Sequence, residues 1–294
     1  MDENLELERS QKQKSTENRY RLLIETDDRT GLIHEISGAL LKLNLNIEQN
    51  NEFVEKRYNR FFMRTDISGA ADENIVSNLK AILPPQTHIQ LIQKRKKRIV
   101  VLVTKEHHCL GDLLLRCHYN EIDIEIAAVI SNYDVLRPLV ESFNIPYQFI
   151  THENQTRERH EADILEAIAP YSPDYLVLAK YMRILTAGFV EAYADRMINI
   201  HHSFLPAFIG ANPYKQAYER GVKIIGATAH FVNHNLDEGP IIAQSVLAVN
   251  HTHSAEDMAR SGKDVEKQTL AKALRLVADD RVFIFRNKTI IFES

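Results

Sequence analysis

The run Ile99-Val100-Val101-Leu102-Val103 constrains the fold more than any other segment of the chain. It holds no polar residue and is rich in β-branched side chains, which predicts a strand that is covered on both faces. Strand and helix patterns alternate from this run onward, as is typical of a parallel α/β sheet. We therefore predict a mostly parallel sheet with helices on both faces over residues 99–294.

A different pattern precedes this sheet. Residues 19–93 predict the order βαββαβ, the split arrangement of a ferredoxin-like domain, with Asp72 placed to cap its second helix. Residues 1–18 are polar, and we expect them to be frayed and disordered. Residues 94–98 are all Lys or Arg, and we predict that this basic run is a solvated linker between two domains.

Charge and glycine content exclude several classes of binding site. The 36 Lys+Arg and 40 Asp+Glu leave a net charge of −4, so the chain lacks the basic excess that nucleic-acid binding needs. Its 10 glycines are spaced too widely for a G-x-G-x-x-G fingerprint. The nearest phosphate-loop candidate, residues 221–228, has Ala227 where the lysine belongs. Common NAD and ATP sites are therefore excluded.

The cysteines and the apolar runs indicate the compartment. No apolar run approaches the roughly 18 residues of a membrane span, and residues 1–18 lack an apolar signal segment. Cys109 and Cys117, if on one helix, lie about 12 Å apart along its axis, too far for a disulfide. We expect a reduced, cytoplasmic protein with no membrane partner. Cys109 is expected to be a small core residue, since no neighbour activates it as a nucleophile.

The residues best suited to catalysis follow the predicted fifth strand of the sheet. Ligands bind beyond the carboxyl ends of strands in an open α/β sheet, and Asn199 and His201 leave that strand on one face. The amide suits a developing oxyanion, and the imidazole can shuttle a proton near pH 7. Asp237, in a polar loop between two later strands, is the candidate carboxylate to orient the imidazole or activate water.

Other interpretations of these residues stay open. Asn199 and His201 can simply cap the strand, and Asp237-Glu-Gly-Pro240 can be only a turn. A metal site is disfavoured because the neighbours His201 and His202 point to opposite sides of a strand. The H-E-x-x-H and C-x-x-C spacings are also absent.

Three separated motifs resemble those of the folate-dependent formyltransferases. They are Asn199-Ile-His201, Ser203-Phe-Leu-Pro206 and His230-Phe-Val…Leu-Asp237-x-Gly-Pro-Ile-Ile242. A further segment, Tyr181-Met182-Arg183-Ile184-Leu185, is similar to the folate-binding segment of that family. The resemblance covers roughly residues 99–290 and implies a Rossmann-like formyltransferase-type sheet.

The resemblance also implies a function for individual residues. Folate binds against Met182, Arg183 and Leu185, and the catalytic set is Asn199, His201 and Asp237. It implies a small-molecule folate substrate, with no separate cofactor and no metal.

The N-terminal module is similar to an ACT domain, a regulatory module of amino-acid and one-carbon metabolism. Such domains pair through their sheets and hold an amino-acid effector near the loop before the first helix. The resemblance therefore implies a homo-oligomer, with glycine or methionine bound near Asp27, Asp28 and Gly31. The alternative for these residues is a plain turn and helix cap.

The loop after the first strand of the sheet favours water as the formyl acceptor. A related enzyme that formylates glycinamide ribonucleotide has a glycine-rich loop there to hold a phosphate. This chain has no glycine between residues 99 and 110, and Glu106 and Asp112 repel a phosphate dianion. His202 also stands where the transferases have proline. The resemblance is therefore to the members that hydrolyse 10-formyltetrahydrofolate to formate and tetrahydrofolate, balancing one-carbon pools and supplying formate for purine synthesis.

Some roles and alternatives remain open from the sequence. His107, His108 and His202 are possible residues of the site lining, and His107 and His108 can equally be exposed loop residues. One alternative function is formyl transfer to another amine. The other is a regulatory protein that binds folate and an amino acid without catalysis.

Overall fold

The computed structural model describes residues 18–70, 74–207 and 213–293. The chain forms two compact units, of which the first ends at Arg95 and the second begins at Lys96. The expected frayed segment, apart from Asn18, and the expected helix cap Asp72 lie outside the described residues.

The first unit has the predicted βαββαβ order. Its elements are β1 (Asn18–Asp27), α1 (Leu32–Lys42), β2 (Asn46–Glu55), β3 (Arg60–Gly69), α2 (Ile75–Ile82) and β4 (His88–Gln93). The strands form an antiparallel sheet in the order β2-β3-β1-β4. Ile24 of β1, Ile36 of α1 and Leu79 of α2 share one buried core, because the apolar side of each helix faces the sheet. The ferredoxin-like, ACT-type fold is confirmed.

The second unit is built on one seven-stranded sheet. Its order is β11-β10-β9-β8-β5-β6-β7, in which β9, β8, β5, β6 and β7 are parallel and β10 is antiparallel to both neighbours. None of the helices that the structure describes is long and apolar enough to cross a membrane. The elements in chain order are β5 (Lys97–Val103), α3 (His108–His118), β6 (Ile124–Ser131), α4 (Arg137–Glu141), β7 (Tyr147–Phe149), α5 (Arg157–Ile168), β8 (Tyr175–Leu178), α6 (Ala187–Ala192), β9 (Met197–His201), α7 (Pro213–Glu219), β10 (Ile224–Phe231), β11 (Ile241–Ala248), α8 (Ala255–Ala278), β12 (Val282–Phe285) and β13 (Lys288–Ile291).

Strand β5 is buried on both faces, as its composition predicts. Val101 and Val103 belong to a core that includes residues of α3 and α8. Val100 and Leu102 belong to the opposite core, with residues of α5 and α6. All four side chains are 0% exposed, and burying each contributes about 1.5–3 kcal/mol. The mostly parallel sheet with helices on both faces is confirmed.

The basic run at residues 94–98 is not a solvated linker along its whole length. Strand β5 already begins at Lys97, whose side chain is 8% exposed and whose Nζ lies 2.6 Å from Oδ1 of Asp280. The backbone N–H of Arg98 donates to the carboxylate of Asp174 at 2.7 Å. The prediction is wrong at Lys97, because a distant carboxylate pairs with its buried side chain, whereas Arg98 joins β5 through its backbone and keeps a side chain that is 43% exposed.

Candidate functional site

A cavity of about 310 Å³ opens at the carboxyl ends of β8 and β9. Its walls come from the segment after β8, from the end of β9 and from the loop between β10 and β11. It brings together all of the residues that the sequence predicts for catalysis and for folate binding, which are Asn199, His201, Asp237, Met182, Arg183 and Leu185. These side chains therefore form one site.

The loop between β10 and β11 carries Asp237 back to His201. Asp237 has a left-handed backbone with φ of 58°, a conformation that Asp tolerates better than most residues. At Gly239 a Cβ atom would lie 1.7 Å from the carbonyl oxygen of Phe231, so only glycine allows this close approach. As a result, Oδ1 of Asp237 lies 3.2 Å from Nδ1 of His201 and 3.8 Å from Nε2 of His230.

His230 orients the Asn199 side chain. The antiparallel pairing of β9 with β10 places the two residues opposite each other. Nδ1 of His230 lies 2.8 Å from the carbonyl oxygen of Phe231 and must donate to it, which leaves the lone pair of the neutral ring on Nε2. Nδ2 of Asn199 donates to that nitrogen at 3.3 Å and keeps a second N–H for a ligand. Burial lowers the pKa of His230, which favours this neutral form.

Asp237 is held in its ionised form. Burial acts to raise the pKa of its carboxyl group, but the hydrogen bond and the charge of His201 outweigh it and lower the pKa. The carboxylate thus accepts from Nδ1 of His201 and fixes the plane of that ring.

The other ring nitrogen of His201 is available for chemistry. The side chain is 7% exposed, and no residue in the described ranges hydrogen-bonds to Nε2. A buried polar atom without a partner is costly, so it marks a position where a substrate or water binds. The contact with Asp237 thus leaves Nε2 of His201 available to a ligand in the cavity.

The two adjacent histidines do not point to opposite sides, contrary to the sequence prediction. Strand β9 ends at His201, so His202 lies outside the pleat. The two rings stack with centroids 5.1 Å apart and an angle of 27° between their planes. Burial, with the charges of Lys180 and His201, lowers the pKa of His202 to about 4. His202 lines the cavity as a neutral ring, in agreement with its predicted position.

The other predicted site histidines lie outside this cavity wall. His107 is exposed at the start of α3, and His108 is buried with Nε2 2.8 Å from Oε2 of Glu266. Cys109 is buried beside them, and burial raises the pKa of its thiol, which fits the predicted core role. His108, Cys109 and Glu266 lie close enough together to hold a metal ion. However, the Glu266 carboxylate is already paired with the ammonium of Lys180 at 3.1 Å.

Lys180 and Glu266 are functional candidates that the sequence analysis missed. Lys180 lines the cavity, and Glu266 is a lone buried carboxylate on the apolar face of α8. Its position beside Val265, Thr269 and Leu270 on that face is the signal that a helical-wheel analysis offers for such a residue.

The rim of the cavity is apolar. Met182, Ile184 and Leu236 are each more than half exposed, although large apolar side chains usually avoid water. Leu185 and Val190 continue this surface inward. Such a rim suits a flat heterocyclic ligand.

The predicted effector loop in the first unit makes the contacts of a turn. A carboxylate oxygen of Asp27 accepts from Arg60 at 2.7 Å, and the backbone of Asp28 bonds with Asn59 at 2.8 Å. Gly31 precedes α1 with a φ of 93°, in the region that favours glycine. Amino-acid binding at this loop stays a prediction.

Known proteins resemble this chain in sequence and in structure. A family described as formyl transferase matches residues 97–274. A formyltetrahydrofolate deformylase of Haemophilus influenzae is 55% identical over 271 residues, covering 92% of this chain and 98% of the relative. One of Escherichia coli is 57% identical over 265 residues, covering 90% and 95%. The crystal structure of a formyltetrahydrofolate deformylase from Pseudomonas syringae superposes with a TM-score of 0.90 at 37% identity, covering 98% of this chain and 100% of that chain.

Proposed function

The chain belongs to the formyltetrahydrofolate deformylase family, and from this premise we propose that it hydrolyses 10-formyltetrahydrofolate to formate and tetrahydrofolate through Asn199, His201 and Asp237. The observation that carries this proposal is the contact of 3.2 Å between Asp237 and His201 in a cavity that Asn199 also lines. The three side chains supply a base, a proton carrier and an oxyanion donor.

The folate ring system fits the apolar rim of the cavity. Met182, Ile184 and Leu185 offer an apolar surface to the rings, and Arg183 offers a cation to the carboxylates of the folate tail. This arrangement leads the formyl group inward toward Asn199 and His201.

The reaction begins with water held by Asp237 and His201. The water oxygen bonds to the formyl carbon while the carboxylate–imidazole pair accepts a water proton. The formyl oxygen becomes an anion, and Nδ2–H of Asn199 and Nε2–H of protonated His201 donate to it. The bond between the formyl carbon and N10 then breaks as protonated His201 gives its proton to N10, and the formic acid so formed loses its proton to Asp237 and leaves as formate.

The loop after β5 supports water as the acceptor. Three of its polar residues already have partners within the second unit. Glu106 pairs with Lys263 at 2.8 Å, Lys105 stands 4.1 Å from the ring centroid of Tyr133, and the Thr104 hydroxyl donates to the carbonyl of Lys180 at 2.6 Å. A glycine-free loop with these contacts is poorly suited to hold a substrate phosphate.

The remaining expectations stand as proposals. We propose that glycine or methionine binds the first unit near Asp27, Asp28 and Gly31, and that the chain forms a homo-oligomer. We also propose that it acts in the cytoplasm without a metal or a separate cofactor, and without a nucleic-acid or membrane partner. The ACT-type fold supports the first two proposals.

The decisive experiment measures formate release from 10-formyltetrahydrofolate by the full chain without an amine acceptor. We expect steady formate and tetrahydrofolate production in equal amounts. The assay is repeated with an added amine acceptor, with glycine and with methionine. Formyl transfer to the amine that outruns formate release would overturn hydrolysis as the main reaction, and no turnover at all would overturn the catalytic proposal.

A further inference from the structure

Glu266 is the centre of a buried polar network beside the hydrolysis site. Its side chain is 1% exposed in the middle of α8. Oε2 lies 2.8 Å from Nε2 of His108 and 3.1 Å from Nζ of Lys180, and Oε1 accepts from the hydroxyl of Tyr214 at 2.7 Å. Burial acts to raise the pKa of this carboxyl group, but the bonds from His108 and Tyr214 and the charge of Lys180 lower it to about 2.

Net stability is a weak reason for such a network. Replacing a buried ion pair by well-packed apolar side chains is often neutral or even stabilising, because both charges lose their hydration when they are buried. The placement of the Lys180 and Glu266 charges beside the cavity therefore indicates a functional role.

Lys180 links this network to the cavity. It follows β8, whose Leu178 pairs with Asn199 of β9, and it has a left-handed backbone with φ of 63°. The Thr104 hydroxyl bonds to its carbonyl oxygen at 2.6 Å and helps to hold this turn. The side chain is 9% exposed, lines the cavity and reaches Glu266.

A second arm of the network passes through Tyr214. A Cβ atom at position 262 would lie 2.1 Å from the Tyr214 hydroxyl, so Gly262 of α8 makes room for that ring to reach Glu266. The ring centroid of Tyr214 lies 6.3 Å from that of His202, which stacks on His201. Through Tyr214 the network thus comes close to His202 in the cavity wall.

Hydrolysis creates negative charge next to the cavity wall that Lys180 and His202 line. The formyl oxygen becomes an anion in the tetrahedral intermediate, and the product formate is an anion. A fixed cation in a site shielded from water favours both species. After burial, the charge of Lys180 is the main cause that lowers the pKa of His202, so the field of the ammonium reaches this part of the cavity wall.

We propose that Lys180 supplies a fixed positive charge to the hydrolysis site and that Glu266 is the positioning residue that holds this charge in place. This inference rests on the proposed function. It gives Lys180 an electrostatic role toward the anionic intermediate, in addition to the hydrogen bonds from Asn199 and His201.

Steady-state formate release by the full chain tests the proposal. Lys180→Met removes the charge at similar volume, and Glu266→Gln keeps acceptor and donor capacity but removes the carboxylate charge. We expect each to lower kcat by about tenfold or more and to change KM by less than about threefold. Lys180→Arg restores the charge and should recover part of kcat. Asp264→Asn is the matched control, since Asp264 is an exposed carboxylate on the same helix, 2.7 Å from Lys267, and it should leave kcat unchanged.

The double variant Lys180→Met/Glu266→Gln distinguishes the proposed electrostatic role of this pair from a role in stability alone. It leaves neither charge unpaired, so its Tm should recover toward that of the wild type while kcat stays low. Recovery of kcat together with Tm, or a Lys180→Met variant with normal kcat, would overturn the inference. Absence of formate release by the wild type would instead overturn the proposed function, so the two failures are distinguishable.

Discussion

Nδ1 of His201 lies 3.2 Å from Oδ1 of Asp237, and this contact leaves Nε2 of the same ring without a hydrogen-bonding partner among the described residues. The carboxylate belongs to the β10–β11 loop and the imidazole to the end of β9. The contact therefore depends on the course of that loop and orients the reactive nitrogen into the cavity.

Replacing Asp237 by Asn tests the base. The amide keeps the size of the side chain but cannot accept a proton from water, so we expect kcat to fall by about 10²-fold or more. KM should change little, since the surface proposed for the folate rings lies elsewhere in the cavity. Formate release and a thermal melt of the same preparation check this. Near-normal turnover by Asp237→Asn would be incompatible with the assigned role.

Replacing Asn199 by Ala tests the oxyanion donor. Removal of one such donor typically costs on the order of 10²–10³ in kcat. His230→Ala leaves the Asn199 amide in place but removes the acceptor that orients it, so we expect a smaller loss of about tenfold. Steady-state kinetics of both variants are compared, and an equal or larger effect of His230→Ala would contradict this order.

Gly239→Ala tests the loop that carries Asp237. The added Cβ would lie 1.7 Å from the carbonyl oxygen of Phe231, which is the same oxygen that accepts from Nδ1 of His230. We expect both Tm and kcat to fall. Gly111→Ala is the control, because its Cβ meets no atom within 4 Å and Ala favours the helix by about 0.5–1 kcal/mol. A Gly239→Ala variant with normal kcat and Tm would show that the loop accommodates the added Cβ atom, and it would contradict this prediction.

The acid stability of the protein should depend on Glu266. Its folded-state pKa of about 2 lies below the ordinary value of 4.5, so the ionised carboxylate stabilises the fold at pH values above 4.5. This contribution is lost as the pH falls from about 4.5 to about 2. Urea unfolding between pH 6 and pH 3 measures the free energy of unfolding. Glu266→Gln should show a shallower fall over this window than the wild type, and parallel curves would contradict the prediction.

Lys97→Met tests the buried ion pair at the start of β5. The change removes the ammonium 2.6 Å from Asp280, whose side chain is 5% exposed, so we expect a loss of about 3–5 kcal/mol in the free energy of unfolding. The folded fraction should keep its kcat, since Lys97 is at the end of β5 opposite the cavity. Lys96→Met, at an exposed contact with Asn120, is the control and should change stability by less than about 0.5 kcal/mol.

Local pattern was enough for most of the fold, and together with the family resemblance it gave the proposed catalytic residues. The apolar run of β5 predicts its two covered faces, and the spacing of Asn199 and His201 places both on one side of β9. These are properties of backbone periodicity, which acts over a few residues. Asp237 was identified by residue type and by the family resemblance, although its distance from His201 depends on the loop.

Local pattern misjudged one contact between distant residues and one between neighbours. Lys97 lies in a basic run that is typical of a solvated linker, but its side chain pairs with Asp280. His202 follows the last residue of β9, and its ring stacks on the ring of His201. Lys180 and Glu266 carry no shared sequence motif, and their ion pair exists only because folding brings the turn after β8 close to the middle of α8.

By itself, the sequence determined the two units, the order of their elements and the residue types available for formyl hydrolysis. The tertiary structure alone decided which charged groups meet. Lys180 pairs with Glu266, and Asp237 pairs with His201, because folding brings together segments that are far apart in the chain. The physical reason is that backbone periodicity is a local property, whereas a charge gains a partner only where folding brings that partner within a few ångströms.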